Sequence, residues 1–284
     1  MTPHPAHETT SLLVEGGGLR GAFTAGVLAQ FGRAGTHFDD IVAVSSAAPT
    51  AAYLMSGQVE AGLDVWRDHT HGERLVSPFN WLRGRPLMDI DGLIDIFKRV
   101  VPLDLAAFAR SPTRLWISVT ERATGEPRYL AANPSNIFEL LRATMALPLA
   151  YGKAVRIDGI AYVDGGVAEP LPFRHALSFN HARIVMVLTH PRGYRRKPSR
   201  FGATVNDWCH RRHPAVGRAL TARGARGNAS LDVIDTLEDA GEIEVIRPPV
   251  TLPAARLSRS RRAIIETLEV GFEAGRDWLA RTAR

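Results

Sequence analysis

Apolar residues in the N-terminal half of the chain alternate between short continuous runs and helical spacing. Residues 11–14 form an apolar run that ends at three consecutive glycines, which predicts a buried strand. The next segment has apolar residues at helical spacing: Phe23, Val27, Leu28 and Phe31. It predicts a helix of about three turns, and residues 41–44 predict a second strand. Strand, helix and strand in this order are the unit from which parallel sheets are built.

Similar patterns continue towards the C-terminus. Strands are predicted at residues 115–119, 184–188 and 242–246, and helices at 137–145 and 258–283. The last helix is amphipathic, which favours a helix docked on the core, with a helix lying on a membrane surface as the alternative. Residues 191–227 lack periodicity and predict a long loop or lid. We therefore expect a polar tail at residues 1–9 and one domain at 10–284, with core motifs at 11–190 and a C-terminal strand and helices at 228–284.

Composition supports an ordinary folded domain. Of the 284 residues, 45% are hydrophobic and 23% are charged, which suits a protein with a sizeable core. The single cysteine, Cys209, excludes a disulfide framework and a cysteine-rich metal site. The first ten residues lack the apolar core of a signal peptide, and no apolar run is long enough to span a bilayer. These features predict a cytoplasmic protein.

Positive charge is concentrated in one part of the chain. The net charge is +6, yet residues 192–226 contain ten basic residues and one acid. Such a segment favours an anionic partner, either a lipid surface or nucleic acid, and a solvated loop is the equally open alternative. The residues expected to contact a membrane surface are Arg192, Arg195, Arg196, Lys197 and Arg200.

The first chemical motif is the loop Gly16–Gly21, between the first strand and the first helix. It satisfies the G-x-G-x-x-G dinucleotide fingerprint, but that fold also needs an acid at the end of the second strand to hold the ribose. Asp39 and Asp40 lie before that strand instead. The remaining interpretation is a glycine loop whose backbone N–H groups bind an anion or an oxyanion, with Arg20 adding a fixed positive charge.

The second motif lies where the second predicted strand ends. Ser45 has Ala43 two residues before it and Ala47 two residues after it. This spacing is that of the nucleophile elbow G-x-S-x-G with alanine at both glycine positions. Close packing of small residues at a helix start is the alternative. Ser46 is a second candidate nucleophile, but it has the β-branched Val44 at a flanking position.

The third motif is Asp164-Gly165-Gly166, which follows an apolar stretch. Alone it predicts a turn. Together the three motifs supply a donor loop, a nucleophile and a carboxylate, each at the end of a predicted strand. That combination is typical of acyl transfer through a serine.

Three segments carry a resemblance to a known family: EGGGLRGAFTAGVLAQF, FDDIVAVSSAA and RATMALPLAYGKAVRIDGIAYVDGG. They resemble the patatin-like phospholipases, in particular their bacterial members, over residues 11–190, and more loosely beyond. The resemblance implies a three-layer α/β/α fold with a mostly parallel central sheet, related to α/β hydrolases. It also implies a Ser–Asp dyad, which fits the absence of any histidine in a triad-like context.

The resemblance assigns a role to each motif. Ser45 would be the nucleophile and Asp164 its base, while Gly16, Gly17 and Gly18 would donate to the oxyanion and Arg20 would support their loop. The complete oxyanion and substrate-binding set is Gly16, Gly17, Gly18, Leu19, Arg20 and Gly21. The supporting turns are Ala43, Ala47, Gly165 and Gly166. The family has glycine at positions 43 and 47. Alanine is therefore expected to add strain of about 1–3 kcal/mol where the elbow requires a positive φ or a close backbone approach at these positions.

The implied function is a serine hydrolase of lipid esters that needs no metal or organic cofactor. Its expected partners are a lipid or ester substrate and, through the basic segment, the inner face of the membrane; no nucleic acid is expected. Two alternatives remain. One is a catalytically weakened lipid-binding or regulatory protein, and the other is a nucleotide-binding oxidoreductase that uses the glycine loop.

Overall fold

A computed structural model describes residues 9–197, 206–207 and 209–283. Residues 1–8 of the predicted tail and Arg200 of the predicted membrane contact lie outside the described residues. None of the described helices is both long enough and apolar enough to cross a bilayer.

The described strands form one mixed sheet. They are β1 (Thr10–Val14), β2 (Asp40–Val44), β3 (Arg114–Glu121), β4 (Pro127–Ala131), β5 (Val155–Ile157), β6 (Ile160–Asp164), β7 (Arg183–Val187) and β8 (Glu244–Ile246). The order is β5-β6-β3-β2-β1-β7-β8, with β4 also paired to β3. The pairs among β3, β2, β1, β7 and β8 are parallel, and those involving β4, β5 and β6 are antiparallel.

Helices connect and cover these strands. They are α1 (Gly21–Arg33), α2 (Ala47–Met55), α3 (Val59–Asp64), α4 (Pro78–Leu82), α5 (Ile90–Asp95), α6 (Leu105–Arg110), α7 (Ile137–Thr144), α8 (Phe173–Leu177), α9 (Pro214–Asp239) and α10 (Arg261–Thr282). Wider π-helical turns extend α3 through Val65–His69 and α5 through Ile96–Val100. Single 3-10 turns occur at Gly18–Arg20 and Gly165–Val167.

The sheet is buried on both faces. Leu12 and Val14 of β1 belong to the apolar cluster that includes α1, α2 and α10. Leu13, between them, belongs to a second cluster with Phe173 of α8 and Ile234 of α9. Because successive side chains of a strand point to opposite faces, these two clusters are the two sides of the sheet. The predicted three-layer α/β/α fold with a mostly parallel sheet is confirmed.

The C-terminal helix is docked on the core, as the favoured interpretation predicted. Two glycines allow α10 to approach α1 closely. A Cβ on Gly26 would lie 2.3 Å from the carbonyl oxygen of Leu268, and one on Gly271 would lie 2.2 Å from that of Phe23. Any larger residue at either position would force the two helices apart.

The predicted loop at residues 191–227 is wrong for its second half, where α9 begins at Pro214. Proline at the first helical position is a start signal, because its missing N–H would lack a helical partner there anyway. The first half of α9 buries mostly small residues, Ala215, Val216, Gly217 and Ala219, in place of leucines or isoleucines. An inward face built from small residues leaves a weak apolar period, which explains the error.

Strand β3 pairs with both strands that end at the candidate site, β2 and β6. Val44, the last residue of β2, pairs with Ser118 of β3. Asp164, the last residue of β6, pairs with Val119, the next residue of β3. Two strands that are far apart in sequence therefore end at consecutive positions of a third, and Ser45 follows immediately after one of them.

Candidate active site

Ser45 occupies a strained turn between β2 and α2. Its φ is +53°, in the left-handed region that costs a non-glycine residue about 1–3 kcal/mol. The turn is held by a hydrogen bond of 2.8 Å from the Ser45 N–H to Oγ1 of Thr144, at the end of α7. Strain of this kind is typical of nucleophile elbows, where a sharp turn exposes the serine side chain.

Ser45 and Asp164 are in direct contact. Ser45 Oγ donates a hydrogen bond of 2.7 Å to Asp164 Oδ2. The other carboxylate oxygen, Oδ1, accepts from the N–H of Gly166 at 2.8 Å, which fixes the orientation of the carboxyl group. Among the described residues, no histidine takes part in these side-chain contacts. The pair has the geometry of a nucleophile and its base.

Burial and nearby donors shift the pKa of Asp164 in opposite directions. The side chain is only 2% exposed, and this burial raises the pKa of the carboxyl group because the charged form loses its water. The hydrogen bond from Ser45, the positive charge of Arg223 and the N–H of Gly166 partly offset that rise in pKa. A carboxylate with a raised pKa is a better proton acceptor than an ordinary aspartate.

The glycine loop approaches the Ser45 elbow and the backbone of Arg256 so closely that larger residues would not fit. A Cβ on Gly16 would lie 2.5 Å from the carbonyl oxygen of Val44 and 2.7 Å from the Cβ of Ser45. Gly18 has a φ of +59°, and its Cβ would lie 2.3 Å from the carbonyl oxygen of Arg256. Glycine at these positions lets the loop backbone lie directly against the Ser45 elbow and the backbone of Arg256.

Contacts of the loop distinguish the two serines. The N–H of Gly17 donates to Ser46 Oγ at 3.2 Å, and a Cβ on Gly21 would lie 2.7 Å from the same oxygen. The N–H of Leu19 donates to the carbonyl oxygen of Arg256 at 3.0 Å. The structure thus brings Ser45 to Asp164 and turns Ser46 towards the glycine loop.

Arg20, within this loop, lies near a second buried carboxylate, that of Glu15. Burial and the positive charge of Arg256 lower the pKa of Arg20 to about 10. Glu15, immediately before the loop, accepts from the N–H of Thr189 at 2.7 Å and from Arg196 at 3.2 Å. These contacts join the residue before the glycine loop to the segment that follows β7.

The two alanines of the elbow are not where the strain lies. Ala43 is inside β2 and Ala47 begins α2, and neither has a positive φ. The expectation that alanine at these positions adds strain through an unfavourable φ was wrong, because Ser45 itself takes the left-handed conformation. Gly165 is different, since a Cβ there would lie 2.2 Å from the carbonyl oxygen of Ser118.

Ser45 also lies at one end of an apolar pocket. The pocket has an empty volume of about 570 Å³. Its lining includes Leu19, Tyr53, Trp66, Met88, Ile90 and Phe97. A lining made mostly of apolar side chains is suited to a hydrocarbon chain.

Most arginines that were predicted to contact a membrane are instead paired with acids. Arg192 contacts Asp239 at 2.6 Å. Arg195 contacts Asp232 at 2.5 Å and Asp235 at 3.0 Å, so α9 supplies all three acids. Arg196 contacts Glu15, as described above, and Lys197 is exposed. Residues 192–196 are therefore not a free cationic surface.

Comparison with known proteins identifies the family. The family model for patatin-like phospholipases matches residues 12–177, more than half of the chain. The chain belongs to the patatin-like phospholipase family. A second model, a domain of unknown function named DUF6363, matches residues 213–284. Family membership argues against the dinucleotide-binding alternative.

Three bacterial proteins are similar to this chain in sequence or in structure. The uncharacterized protein YjjU of Escherichia coli K12 is 30% identical over 185 residues, which are 64% of this chain and 52% of YjjU. This chain thus spans about half the length of that relative. The crystal structure of VipD from Legionella pneumophila superposes with a TM-score of 0.52 at 11% identity, over 96% of this chain and 67% of VipD, which shows a shared fold. ExoU of Pseudomonas aeruginosa, solved with SpcU, matches with a TM-score of 0.31 at 16% identity, over 76% of this chain and 53% of the other.

Several residues at the site were not identified from the sequence. Thr144 lies in one of the family-like segments, but nothing in its local pattern marks it as a partner of Ser45. Arg223 and Arg256 line a pocket beside Asp164. Only the high local charge around Arg223 was visible in the sequence. Among the described residues, no group of three or more His, Cys, Asp or Glu side chains is arranged to hold a metal ion.

Proposed function

We propose that this protein is a serine hydrolase of lipid esters that uses Ser45 as nucleophile and Asp164 as base. The observation that carries the proposal is the 2.7 Å contact between Ser45 Oγ and Asp164 Oδ2, at a strained elbow beside a glycine loop. Membership of the patatin-like phospholipase family supports it independently. The apolar pocket next to Ser45 supports a substrate with a hydrocarbon chain.

In the first half of the reaction, Ser45 Oγ attacks the carbonyl carbon of the ester while Asp164 takes the hydroxyl proton. The negative charge on the carbonyl oxygen is stabilised by backbone N–H groups of Gly16–Gly18. Within this loop the N–H of Gly17 is already bonded to Ser46 Oγ. Gly16 and Gly18 are the remaining donors of the loop, since no described residue supplies an acceptor for either N–H.

The tetrahedral intermediate collapses with release of the alcohol, which receives the proton from Asp164. Water then attacks the acyl-enzyme, Asp164 accepts a proton from that water, and Ser45 regains its hydroxyl proton as the carboxylic acid leaves. The net reaction consumes one ester and one water and yields one acid and one alcohol. Neither step requires a group beyond those of this chain.

A fluorophosphonate probe tests the proposal, because it reacts covalently with activated serines. We expect the label on Ser45, located by mass spectrometry, together with hydrolysis of short soluble esters. Ser45→Ala is expected to lose both properties, whereas the exposed Ser135→Ala is a matched control that keeps them. Labelling of another serine, or full ester hydrolysis by Ser45→Ala, would overturn the assignment.

We further infer that this enzyme meets its substrate at a lipid surface through the loop at residues 76–88. The loop closes on a bridge between Val76 and Met88 and carries α4. Phe79 is 57% exposed and Leu82 is 73% exposed, and the exposed Arg83 follows directly. Apolar side chains next to cations are typical of segments that bind anionic membrane surfaces.

The position of this loop favours it over the basic segment first expected to bind a membrane. Leu75 and Met88, at the two ends of the loop, both line the apolar pocket. A bilayer contact at Phe79 and Leu82 would therefore lie on a loop that is joined at both ends to the wall of the pocket that contains Ser45. Arg192 and Arg195, by contrast, are already paired with acids of α9.

A further inference from the structure

A second, polar pocket lies beside Ser45. It is lined by the glycine loop, Asp164 and three arginines, Arg196, Arg223 and Arg256. Its empty volume is about 350 Å³, smaller than that of the apolar pocket. Gly18, Ser45 and Leu147 line both pockets, so the reacting serine stands where the two meet.

The arginines of the polar pocket exceed the acids that could neutralise them. Arg196 is paired with Glu15. For the guanidinium groups of Arg223 and Arg256, none of the described residues supplies an ion pair or a hydrogen-bond acceptor. Burial, together with the charges of Arg256 and Arg196, lowers the pKa of Arg223 to about 9. The pKa of Arg256 is also lowered by burial and by Arg196. The charge of Asp164 partly offsets the lowering of both pKa values, but its two oxygens accept their hydrogen bonds from Ser45 and from Gly166.

Two partly buried arginines without a bound counter-ion are costly, because their charges lose some of their water without gaining an ion pair. An anion bound between them would remove that cost. Guanidinium groups are well matched to phosphate, since their planar N–H groups can donate two parallel hydrogen bonds to its oxygens. The polar pocket therefore has the charge and the donors of a phosphate site.

The meeting point at Ser45 defines which part of a substrate would enter each pocket. When the acyl chain lies in the apolar pocket and the ester carbon lies at Ser45, the alcohol part of the ester extends into the polar pocket. We propose that this pocket binds the phosphate of the alcohol part, and that the preferred substrate is an acyl ester of a glycerol phosphate with an uncapped phosphate group. This proposal rests on the proposed hydrolase function and adds the chemistry of its substrate.

Two features favour an uncapped phosphate over a zwitterionic head group. A quaternary ammonium or an amine would bring a positive charge next to three arginines, and like charges repel at such distances. An uncapped phosphate carries close to two negative charges at neutral pH, which match the two unpaired arginines. Hydrolysis then consumes one water and yields a carboxylic acid and glycerol phosphate, with the phosphate ester left intact.

The proposal also gives a role to the C-terminal segment. Arg223 lies in α9 and Arg256 lies between β8 and α10, both within the part that matches the domain of unknown function. The patatin-like part supplies Ser45, Asp164 and the glycine loop. Specificity for the alcohol side of the substrate is thus contributed by a different segment of the chain than the reaction chemistry.

Steady-state kinetics with three esters of the same acyl chain test the proposal: an acyl glycerol phosphate, an acyl glycerol and an acyl glycerophosphocholine, each kept below its micelle concentration. We expect kcat/KM to be at least about tenfold higher for the phosphate ester than for either other ester, since hydrogen bonds to charged groups are the stronger class. Arg223→Gln and Arg256→Gln are each expected to reduce that preference about tenfold or more. Arg218→Gln, exposed on the same helix, is the matched control and should leave the preference unchanged.

The neutral acyl glycerol separates the two proposals. If no ester is hydrolysed and Ser45 is not labelled, the hydrolase function fails. If the neutral ester is hydrolysed normally but the phosphate ester is not preferred, the phosphate pocket fails and the hydrolase stands. Where Arg223→Gln does not fold, Arg223→Lys keeps the charge but loses the paired donors, and it should retain only part of the preference.

Inorganic phosphate distinguishes a head-group pocket from a site for free anions. Calorimetry with the inactive Ser45→Ala protein should show far weaker binding of phosphate alone than of the acyl glycerol phosphate, with Arg256→Gln weakening both. Equal binding of phosphate and lipid, without a kinetic preference for the phosphate ester, would overturn the head-group assignment.

Discussion

The side-chain hydroxyl of Thr144 lies between the backbone N–H of Ser45 and the carbonyl oxygen of Ser118. It accepts from the N–H at 2.8 Å and donates to the carbonyl at 2.6 Å. One hydroxyl therefore joins the end of α7, the elbow after β2 and the middle of β3. It satisfies the backbone N–H of a residue in a strained conformation, and such conformations persist only where the surroundings fix them.

Thr144→Val keeps the shape of this side chain but removes both hydrogen bonds. Leaving a buried donor and acceptor without partners costs about 1–3 kcal/mol, so we expect the elbow to lose its fixed geometry and kcat to fall about tenfold or more. The rate at which a fluorophosphonate labels Ser45 measures this directly. Thr144→Ser, which keeps the hydroxyl, should restore the labelling rate. Normal labelling of the valine variant would show that the hydrogen bonds do not position Ser45.

The two neighbouring serines should respond differently to alanine. Ser45→Ala removes the proposed nucleophile, and we expect activity to fall by about 10⁴-fold or more. Ser46→Ala removes only the acceptor of the Gly17 N–H and should cost far less. Asp164→Asn should be nearly as severe as Ser45→Ala, and the double variant hardly worse than either, because the pair acts as one unit. Losses that multiply in the double variant would instead indicate independent roles.

The first strand, helix and strand were predictable because each signal is local. Residues 11–14 and 41–44 are buried on both faces, so they appear as continuous apolar runs. The glycine loop, Ser45 and Asp164 all lie at the ends of such runs. β4 was not predicted, because Pro127–Ala131 is half-buried or exposed along its length and has no apolar run. The pairing of Val119 with Asp164 could not be predicted either, because it joins two strands that are distant in sequence.

Whether an arginine of α9 is exposed or lines the polar pocket depends on its position around the helix axis. Arg218 and Arg223 are five residues apart on α9, which places them about 140° apart around the helix axis. Arg218 is exposed, while Arg223 lines the polar pocket. The sequence shows both as members of one basic cluster. When residues 214–227 are predicted to form a loop, the sequence offers no helix face by which the two arginines could be distinguished.

Restoring glycine at the elbow should not increase turnover. Ala43 and Ala47 are fully buried and have ordinary backbone conformations, so Ala43→Gly and Ala47→Gly relieve no strain. Each should instead destabilise the fold by roughly 0.5–1 kcal/mol, because glycine loses more conformational freedom on folding. Unfolding in urea measures the stability, and kcat per labelled Ser45 measures the chemistry. A clear rise in kcat would show that the alanines distort the elbow after all.

The pH dependence of a neutral, soluble ester should report Asp164. In the proposed mechanism its carboxylate is the form that accepts the serine proton, so we expect activity to fall as the pH decreases through its pKa. Because burial raises that pKa, the acid limb should lie above the range of an ordinary aspartate. Arg223→Gln removes a positive charge that favours the carboxylate, so the acid limb should move to higher pH. Arg218→Gln is the control, and a shift of the Arg223→Gln limb to lower pH would contradict the assignment of Asp164 as base.

Binding to lipid vesicles should depend on the loop at residues 76–88 more than on the basic segment. Replacing Phe79 and Leu82 together by serine removes exposed apolar surface from the loop whose flanking residues, Leu75 and Met88, line the apolar pocket. We expect weaker co-sedimentation with anionic vesicles and slower hydrolysis of lipid in those vesicles. Hydrolysis of a soluble ester should be unchanged, since neither residue lines a pocket containing Ser45.

The matched comparison replaces Arg192, Arg195 and Lys197 by serine. Two of these three cations are already neutralised by acids of α9, so vesicle binding should change little.

Salt should weaken the binding of the parent protein only in part. Added salt screens exposed cations over a Debye length of about 8 Å at physiological ionic strength, whereas insertion of Phe79 and Leu82 is insensitive to it. Loss of vesicle binding in the arginine and lysine variant, with binding retained after the Phe79 and Leu82 replacements, would assign the membrane contact to the basic segment instead.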